Sequence, residues 1–202
     1  MWDERYSEEG YAFGDQPNDF LVEQAGALRP GNCLCIAEGQ GRNAVFLAER
    51  GLEVTAMDMS AVGLECAHEL AASRGVAIHT EVGDLADYDL GQDKWDNIVS
   101  IFVHMVPPMR REVHRRVAAA LRPGGLVLLE AYTPGNLEIA DRRGGPGAGM
   151  PERFMTLAAL EEDFAGLEFL VAREVRREVN EGTYHQGESA VVQLLARRPT
   201  GD

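Results

Sequence analysis

The chain has 202 residues, of which 45% are hydrophobic and 26% charged, and a formal net charge of −14. This length and composition are typical of one globular domain with a full core, and we expect residues 1–202 to form it. The acidic balance disfavours a protein that binds nucleic acid or an anionic membrane, because phosphate binding needs a basic surface.

The amino terminus, M-W-D-E-R-Y, is polar and acidic, and the chain has no run of 18 apolar residues. We therefore predict no signal peptide, no membrane span and a cytoplasmic location. Cys33 and Cys35 lack further Cys or His partners at metal-site spacing, so we predict buried free thiols and no metal site.

Residues 1–20 precede the first predicted strand and carry the aromatic side chains Tyr6, Tyr11 and Phe13. Two interpretations remain open. The segment is either a mobile tail whose aromatic rings pack on the domain, or a lid over a ligand. An aromatic lid excludes water and can present its π face to a cation. A short helix over Phe20–Leu28 follows.

A strand, a glycine turn, a helix and a second strand come next. Cys33–Ala37 are small and apolar, which is typical of a buried parallel strand. Gly39 and Gly41 allow positive φ and close approach of a ligand. A helix begins at Arg42 or Asn43 and ends near Arg50, and Leu52–Met57 forms the second strand. Ligands bind at the carboxyl ends of such strands, so the turn should meet Asp58.

The charges around this turn indicate the ligand. Asp58 lies 20 residues after Glu38, the spacing of an acid that binds a ribose. Ala44 replaces the third glycine of a dinucleotide motif, and the Glu38 carboxylate would repel a pyrophosphate. It suits a cationic ligand such as S-adenosylmethionine, whose own carboxylate could take the N–H groups at the helix N-terminus. The alternative is a nicotinamide or flavin nucleotide.

Residues 38–48, E-G-Q-G-R-N-A-V-F-L-A, resemble the first motif of class I S-adenosylmethionine-dependent methyltransferases, and are most similar to the branch that includes the tellurite-resistance methyltransferases. The resemblance implies an α/β, doubly wound, Rossmann-like seven-stranded sheet, mostly parallel with an antiparallel C-terminal hairpin strand. It also implies that Tyr11, Phe13 and Gly14 cover the methionine end of the cofactor and that Asp84 binds the adenine amino group. The other cofactor-binding residues expected on this basis are Glu38, Gly39, Gly41, Arg42, Asn43, Asp58, Met59, Ser60, Leu85 and Ile101.

The middle of the chain continues the alternation of helices and strands. Ser60 is a suitable N-cap, and prolines favour the first turn of the second long helix. L-R-P-G-G, Leu121–Gly125, is predicted as a turn. The expected elements are a helix from Ser60 to Arg74, strands over Val76–Val82, Ile98–Val103 and Leu126–Tyr132, and a helix from Pro107 to Arg122.

Residues 134–153 are rich in Gly and Pro and predict a mobile loop at the substrate mouth. A helix capped by Thr156 follows. Leu167–Val179 and Ser189–Ala196 read as strands, and the turn between them, 180–188, is so short that they must pair antiparallel. The tip of this hairpin should bring Tyr184 and His185 close to a substrate.

The candidate catalytic residues are His185 and His104, each of which could remove a proton from a methyl acceptor. A lone histidine at the end of a buried strand is more often structural. We predict a methyltransferase acting on a small molecule, either a chalcogen oxyanion such as tellurite or selenite, or a small metabolite. The alternatives are a nicotinamide-nucleotide-dependent oxidoreductase and a non-catalytic module that binds S-adenosylmethionine. The chain is expected to be a monomer or a homodimer.

Overall fold

The computed structural model describes residues 2–140 and 151–201. Within these ranges seven strands and seven α-helices are present. The strands are β1 (Asn32–Ile36), β2 (Glu53–Asp58), β3 (His79–Val82), β4 (Trp95–Ile101), β5 (Leu121–Tyr132), β6 (Glu168–Glu181) and β7 (His185–Arg197). The helices are α1 (Trp2–Tyr6), α2 (Asp19–Gln24), α3 (Arg42–Glu49), α4 (Ala61–Ser73), α5 (Pro107–Ala120), α6 (Gly135–Ala140) and α7 (Leu157–Asp163), and 3-10 turns cover Ala25–Ala27 and Pro151–Arg153.

The strands of the described residues form one sheet in the order β3-β2-β1-β4-β5-β7-β6. The first five strands of this order pair in parallel, whereas β7 pairs antiparallel with both β5 and β6. This confirms the predicted fold class. The strand order reverses between β1 and β4, and crevices at such reversals are where ligands bind in open α/β sheets.

The two faces of the sheet bury different core layers. In β1, Leu34 and Ile36 face the layer of α5 and α7, whereas Cys33 and Cys35 face α2, α3 and α4. The two thiols therefore share one face, as the period of a strand requires, and both are free and buried.

Local signals set several helix ends as predicted. The Ser60 hydroxyl accepts a hydrogen bond from the Gly63 N–H at 3.0 Å, and the Thr156 hydroxyl accepts one from the Ala159 N–H at 3.2 Å. Both side chains satisfy an N–H group that has no partner within its helix. Gly51 follows α3 with a φ of 86°, which a C-cap glycine adopts without strain.

Three predicted boundaries were wrong. β3 spans only His79–Val82, since the N–H of Val76 bonds back to Ala71 at the end of α4. β4 stops at Ile101, because Phe102 has a φ of 54°. The predicted turn 121–125 lies inside β5, where the register against β4 shifts.

Two predicted loops were also too long. Residues 134–153 include helix α6, and the part of this segment at 141–150 lies outside the described residues. The hairpin turn expected at 180–188 reduces to residues 182–184, because β6 and β7 pair up to Glu181 and His185. In the described residues, no helix combines the length and the apolar character that crossing a bilayer requires.

Candidate functional site

The glycine turn lies at the carboxyl end of β1. Gly39 and Gly41 have φ values of 61° and 88°, and Ala37 just before them has a φ of 48°. A Cβ at Gly39 would lie 2.5 Å from the Tyr6 hydroxyl oxygen, and one at Gly41 would lie 2.5 Å from the Ala67 Cβ. Both positions therefore require glycine, and the positive φ of Ala37 is backbone strain of the kind found at functional sites.

Asp58 closes the other side of this turn. Its Oδ2 accepts a hydrogen bond from the Gly39 N–H, and its Oδ1 accepts one from the Ser60 N–H, both at 2.8 Å. Burial raises the pKa of Asp58 above its usual value, although the two N–H groups favour the carboxylate. Each oxygen keeps a lone pair for a further donor, such as a ribose hydroxyl.

Glu38 caps helix α3. Its Oε1 accepts hydrogen bonds from the N–H groups of Asn43 and Ala44 at 2.9 and 2.8 Å. Burial raises the pKa of Glu38 to about 7, against the opposing effect of these N–H groups. The expectation that a cofactor carboxylate takes the N–H groups at this helix start was wrong for these two, because Glu38 already occupies them.

The N-terminal segment covers the turn and is fixed at both sides. The Ala12 N–H donates to Gln40 Oε1 at 2.8 Å, and the Ala12 carbonyl accepts from the N–H groups of Thr183 and Tyr184 at 3.1 and 3.3 Å. A Cβ at Gly14 would lie 3.1 Å from the Gly182 nitrogen. Backbone therefore meets backbone between this segment and the hairpin tip.

The aromatic residues of this segment have different positions. The Phe13 ring lies 4.6 Å from the His185 ring, at the mouth. Tyr11 is half-buried and packs on the core layer that includes α4. Tyr6 is buried and lies over Gly39 and Gly63. From the sequence, Tyr6 was named only as one of three aromatic residues in this segment, and its contact with the turn was not predicted.

The residues predicted for the adenine end lie after β2 and β3. Asp84 is exposed, and its Oδ1 accepts a hydrogen bond from the Ala86 N–H at 2.9 Å. Met59 next to Asp58 is 56% exposed and Val82 is 63% exposed, an unusual state for large apolar side chains. Leu85 is buried and Ile101 half-buried in the core. Met59 and Val82 thus offer exposed apolar surface close in the chain to the exposed Asp84 carboxylate.

His185 lies in a cluster of aromatic rings at the mouth. Its ring is 4.6 Å from Phe102 and 5.6 Å from Tyr132, centroid to centroid. The side chain is 8% exposed, and its buried Nδ1 has no hydrogen-bond partner among the described residues. Burial lowers the pKa of His185 well below its usual value, and the nearby Arg42 cation lowers it further. The imidazole is therefore neutral and one ring nitrogen is available.

His104 lies in the same cluster with its ring held by the backbone. Its Nε2 accepts a hydrogen bond from the Tyr132 N–H at 3.0 Å. Burial lowers the pKa of His104 to about 4. The Nε2 lone pair is thus occupied, which favours the structural role over proton transfer. Arg153 nearby has a buried Nε without a partner among the described residues.

A buried network of charges joins the N-terminal segment, α3 and the hairpin, and it was not predicted from the sequence. Arg42 was expected to bind the cofactor, but its Nη2 pairs with Glu181 at 2.5 Å. Asn43, expected in the same role, accepts a hydrogen bond from the Asn18 N–H through its Oδ1 at 2.9 Å. The members come from distant parts of the chain, so the only sequence signal was the oppositely charged pair Arg177 and Glu181 at i,i+4 on β6.

No group of three or more His, Cys, Asp or Glu side chains is arranged for a metal ion within residues 2–140 and 151–201. The functional groups of the site in these residues are hydrogen-bonding groups, carboxylates and aromatic rings.

Comparison with known proteins agrees with this geometry. Residues 33–125 match the family model described as a methyltransferase domain. These residues contain the glycine turn, Asp58, Asp84 and His104. This part of the chain is thus similar to the methyltransferase domain family. S-adenosylmethionine is the cofactor that this similarity implies.

A malonyl-[acyl-carrier protein] O-methyltransferase from Pseudescherichia vulneris is 32% identical over 125 residues, which cover 60% of this chain and 47% of that protein. The chain spans about half the length of the curated relatives it matches. Among solved structures, one described as the conversion of a disulfide bond into a thioacetal group during echinomycin biosynthesis has a TM-score of 0.77 at 20% identity, covering 99% of this chain and 89% of that chain. TehB from Haemophilus influenzae has a TM-score of 0.72 at 22% identity, covering 90% of this chain and 62% of that chain. Both likenesses establish the fold alone.

The residues present fit this cofactor. The turn that ends β1 requires glycine at 39 and 41, where a Cβ would meet Tyr6 and Ala67, and Asp58 beside it has acceptor capacity left for two hydroxyl groups. Met59 and Val82 offer an apolar surface to a base. The carboxylates of Glu38 and Asp58 suit the cationic charges of the ligand.

Proposed function

We propose that the protein transfers the methyl group of S-adenosylmethionine to a small-molecule acceptor held beside His185. The observation that carries the proposal is the pair of features at the two ends of the crevice. Asp58 is hydrogen-bonded to the glycine turn with acceptor capacity to spare, and His185 keeps a buried ring nitrogen that has no hydrogen-bond partner among the described residues. The first suits the nucleoside and the second suits an acceptor.

When bound, the cofactor supplies a methyl group already activated by its sulfonium charge. The chain's own residues then have to bind, orient and exclude water. Asp58 accepts hydrogen bonds from the ribose hydroxyls, and Asp84 is available for the base. Phe13 and Gly14 cover the crevice. The aromatic rings around His185 keep the acceptor in a dry environment.

The neutral imidazole of His185 can act on an acceptor in two ways. It takes a proton from a hydroxyl or thiol, or it donates a hydrogen bond to an anion. A chalcogen oxyanion, as the motif at residues 38–48 suggests, fits the second way. The Nε of Arg153 near His104, which has no hydrogen-bond partner within residues 2–140 and 151–201, is the specific observation that favours an anionic acceptor over a neutral metabolite.

The two rival functions differ in what they bind and turn over. A nicotinamide-dependent oxidoreductase would place a pyrophosphate at the turn, where Glu38 opposes it. A binding module would hold S-adenosylmethionine without turnover. We also propose that the protein acts in the cytoplasm as a monomer or homodimer, without nucleic acid or membrane as partner.

Titration calorimetry of S-adenosylmethionine and of NAD(P) tests the cofactor. We expect binding of the first alone, and Asp58→Ala to weaken it by about 1–3 kcal/mol, since ribose hydroxyls lose their acceptor. Asp87→Ala, an exposed acid in the segment after β3, is the control and should bind normally. Unchanged affinity in Asp58→Ala, or tight binding of NAD(P), would contradict the proposal.

The acceptor is tested by incubation with methyl-labelled cofactor. Tellurite, selenite and small thiols are compared with hydroxylated metabolites, and the volatile and soluble products are counted. Transfer to any of these supports a methyltransferase. Binding of the cofactor without transfer to any acceptor, including slow transfer to a thiol, favours the binding module.

A further inference from the structure

Glu181 is the residue that directly faces His185. The two form the last pair of the β6–β7 ladder before the three-residue turn. Directly opposed residues of an antiparallel pair point to the same face, with their Cβ atoms about 5 Å apart. Whatever fixes the Glu181 side chain therefore also fixes the strand end that carries His185.

The Glu181 carboxylate is buried and bound by three donors. Its Oε2 accepts from Arg42 Nη2 at 2.5 Å, and its Oε1 accepts from Arg177 Nη2 at 2.7 Å and from Asn18 Nδ2 at 2.9 Å. Arg42 is the first residue of α3, immediately after the glycine turn. Asn18 ends the N-terminal segment. One carboxylate thus joins the hairpin, the turn and the lid.

A second carboxylate, which lies on β5, completes the network. Glu130 on β5 is fully buried, and its Oε1 accepts from the same Asn18 Nδ2 at 2.8 Å and from Arg177 Nη2 at 2.5 Å. Its Oε2 accepts from Gln193 Nε2 at 2.5 Å. Two arginines balance two glutamates, and each carboxylate oxygen has a donor. Such a network is costly to desolvate but strongly directional when it is complete.

We propose that Glu181 is a positioning residue for His185, linking the glycine turn and the lid to the acceptor side of the site through Arg42 and Asn18. The inference rests on the proposed role of His185. Occupation of the turn and placement of the histidine become one event, because the Glu181 carboxylate ties the start of α3 to the strand end that pairs with His185. Glu181 does not itself touch a reacting atom in this scheme.

Hydrogen exchange with S-adenosylhomocysteine as the probe tests this link in the wild-type protein. We expect residues 10–18 and residues 181–187 to gain protection together when the probe binds. Protection of 10–18 without any change in 181–187 would overturn the proposal. Because this measurement needs no variant, it stands even where a substitution prevents folding.

Glu181→Gln supplies the kinetic test, since it keeps the shape and removes the charge that holds Arg42. With selenite or dithiothreitol, whichever accepts methyl in the wild type, kcat should fall on the order of 100-fold, as expected for a misplaced group. The KM for S-adenosylmethionine should change by less than about threefold. Equal fold-changes in kcat and in the KM for S-adenosylmethionine would show that the role of Glu181 is purely structural.

Glu23→Gln is the matched control. Glu23 also joins the N-terminal part of the chain to β6, through Arg173 at 3.0 Å, but this pair is exposed. The Glu23→Gln substitution should leave kcat and the KM for S-adenosylmethionine unchanged. A wild type that binds no S-adenosyl ligand would defeat the proposed function itself. A wild type that binds and turns over, with a Glu181→Gln variant that behaves like it, would defeat only the positioning role.

Discussion

His185 and His104 lie in one aromatic cluster but differ in the state of their ring nitrogens. The Nε2 of His104 is bonded to the backbone of Tyr132, whereas the Nδ1 of His185 is buried without a partner among the described residues. A buried polar atom without a partner costs free energy, so its retention favours a function. The two histidines at the mouth therefore support different roles, a structural one for His104 and a functional one for His185.

At the scale of the single residue, we predict that His185→Ala lowers kcat by about 100-fold or more. This is the usual effect of losing a group that transfers or holds a proton. The affinity for S-adenosylhomocysteine should change little, because in the proposed function His185 acts on the acceptor and not on the cofactor. Steady-state kinetics and calorimetry measure the two effects. His68→Ala on the exposed face of α4 is the control. Equal losses of turnover and affinity would move His185 to the cofactor.

At the scale of elements, the hairpin turn and the N-terminal segment proposed as a lid depend on each other. Gly182 has a φ of 70°, and a Cβ there would overlap the backbone of Phe13 and Gly14. The N–H groups of Thr183 and Tyr184 both donate to the Ala12 carbonyl. The segment is thus docked on the hairpin by main-chain contacts, so its position is not set by its aromatic side chains alone.

Gly182→Ala should consequently displace the lid and destabilise the protein by about 1–3 kcal/mol, through backbone strain and overlap. Faster hydrogen exchange over residues 10–18 would report the displacement, and urea unfolding the stability. A Cβ at Gly166 meets nothing within 4 Å, so Gly166→Ala is the control. A Gly182→Ala protein with unchanged exchange in the lid would show that the docking is not needed.

At the scale of the molecule, groups with opposite pKa shifts govern the response to pH. Burial lowers the pKa of His104 to about 4 and also lowers the pKa values of His114 and His185. The unfolded chain then binds more protons, so their stabilisation is complete above pH 6.5 and is lost as the pH falls. Glu38, with a pKa raised to about 7, acts in the reverse direction. Its stabilisation is complete below its ordinary pKa and is lost as the pH rises through 7.

We expect Glu38 to offset part of the loss from the three histidines in the wild type between pH 7 and pH 5. His104 alone should cost about 2 kcal/mol at pH 5, and Glu38 should return a similar amount. In Glu38→Gln the free energy of unfolding should therefore fall more steeply on acidification than in the wild type. Urea unfolding at both pH values measures this, and parallel profiles for the two proteins would refute it.

The sequence by itself determined the parallel core of the sheet and the turn that faces Asp58. These features depend on local chemistry, since apolar runs, glycines and capping residues act within a few neighbouring positions. Ser60 and Thr156 cap their helices as predicted for this reason. The third strand was predicted from Val76 but begins at His79, because the N–H of Val76 bonds back to Ala71 at the end of α4, a contact that the apolar pattern does not reveal.

The tertiary structure alone decided how the site is closed. Asn18 lies 112 residues from Glu130 and 163 residues from Glu181 in the chain, yet its amide donates to both. No local sequence pattern predicts these hydrogen bonds, because the residues are far apart in the chain. Each of them, considered alone, is of a type that usually lies at the surface. The fold removes them from water together, and only then do they have to pair.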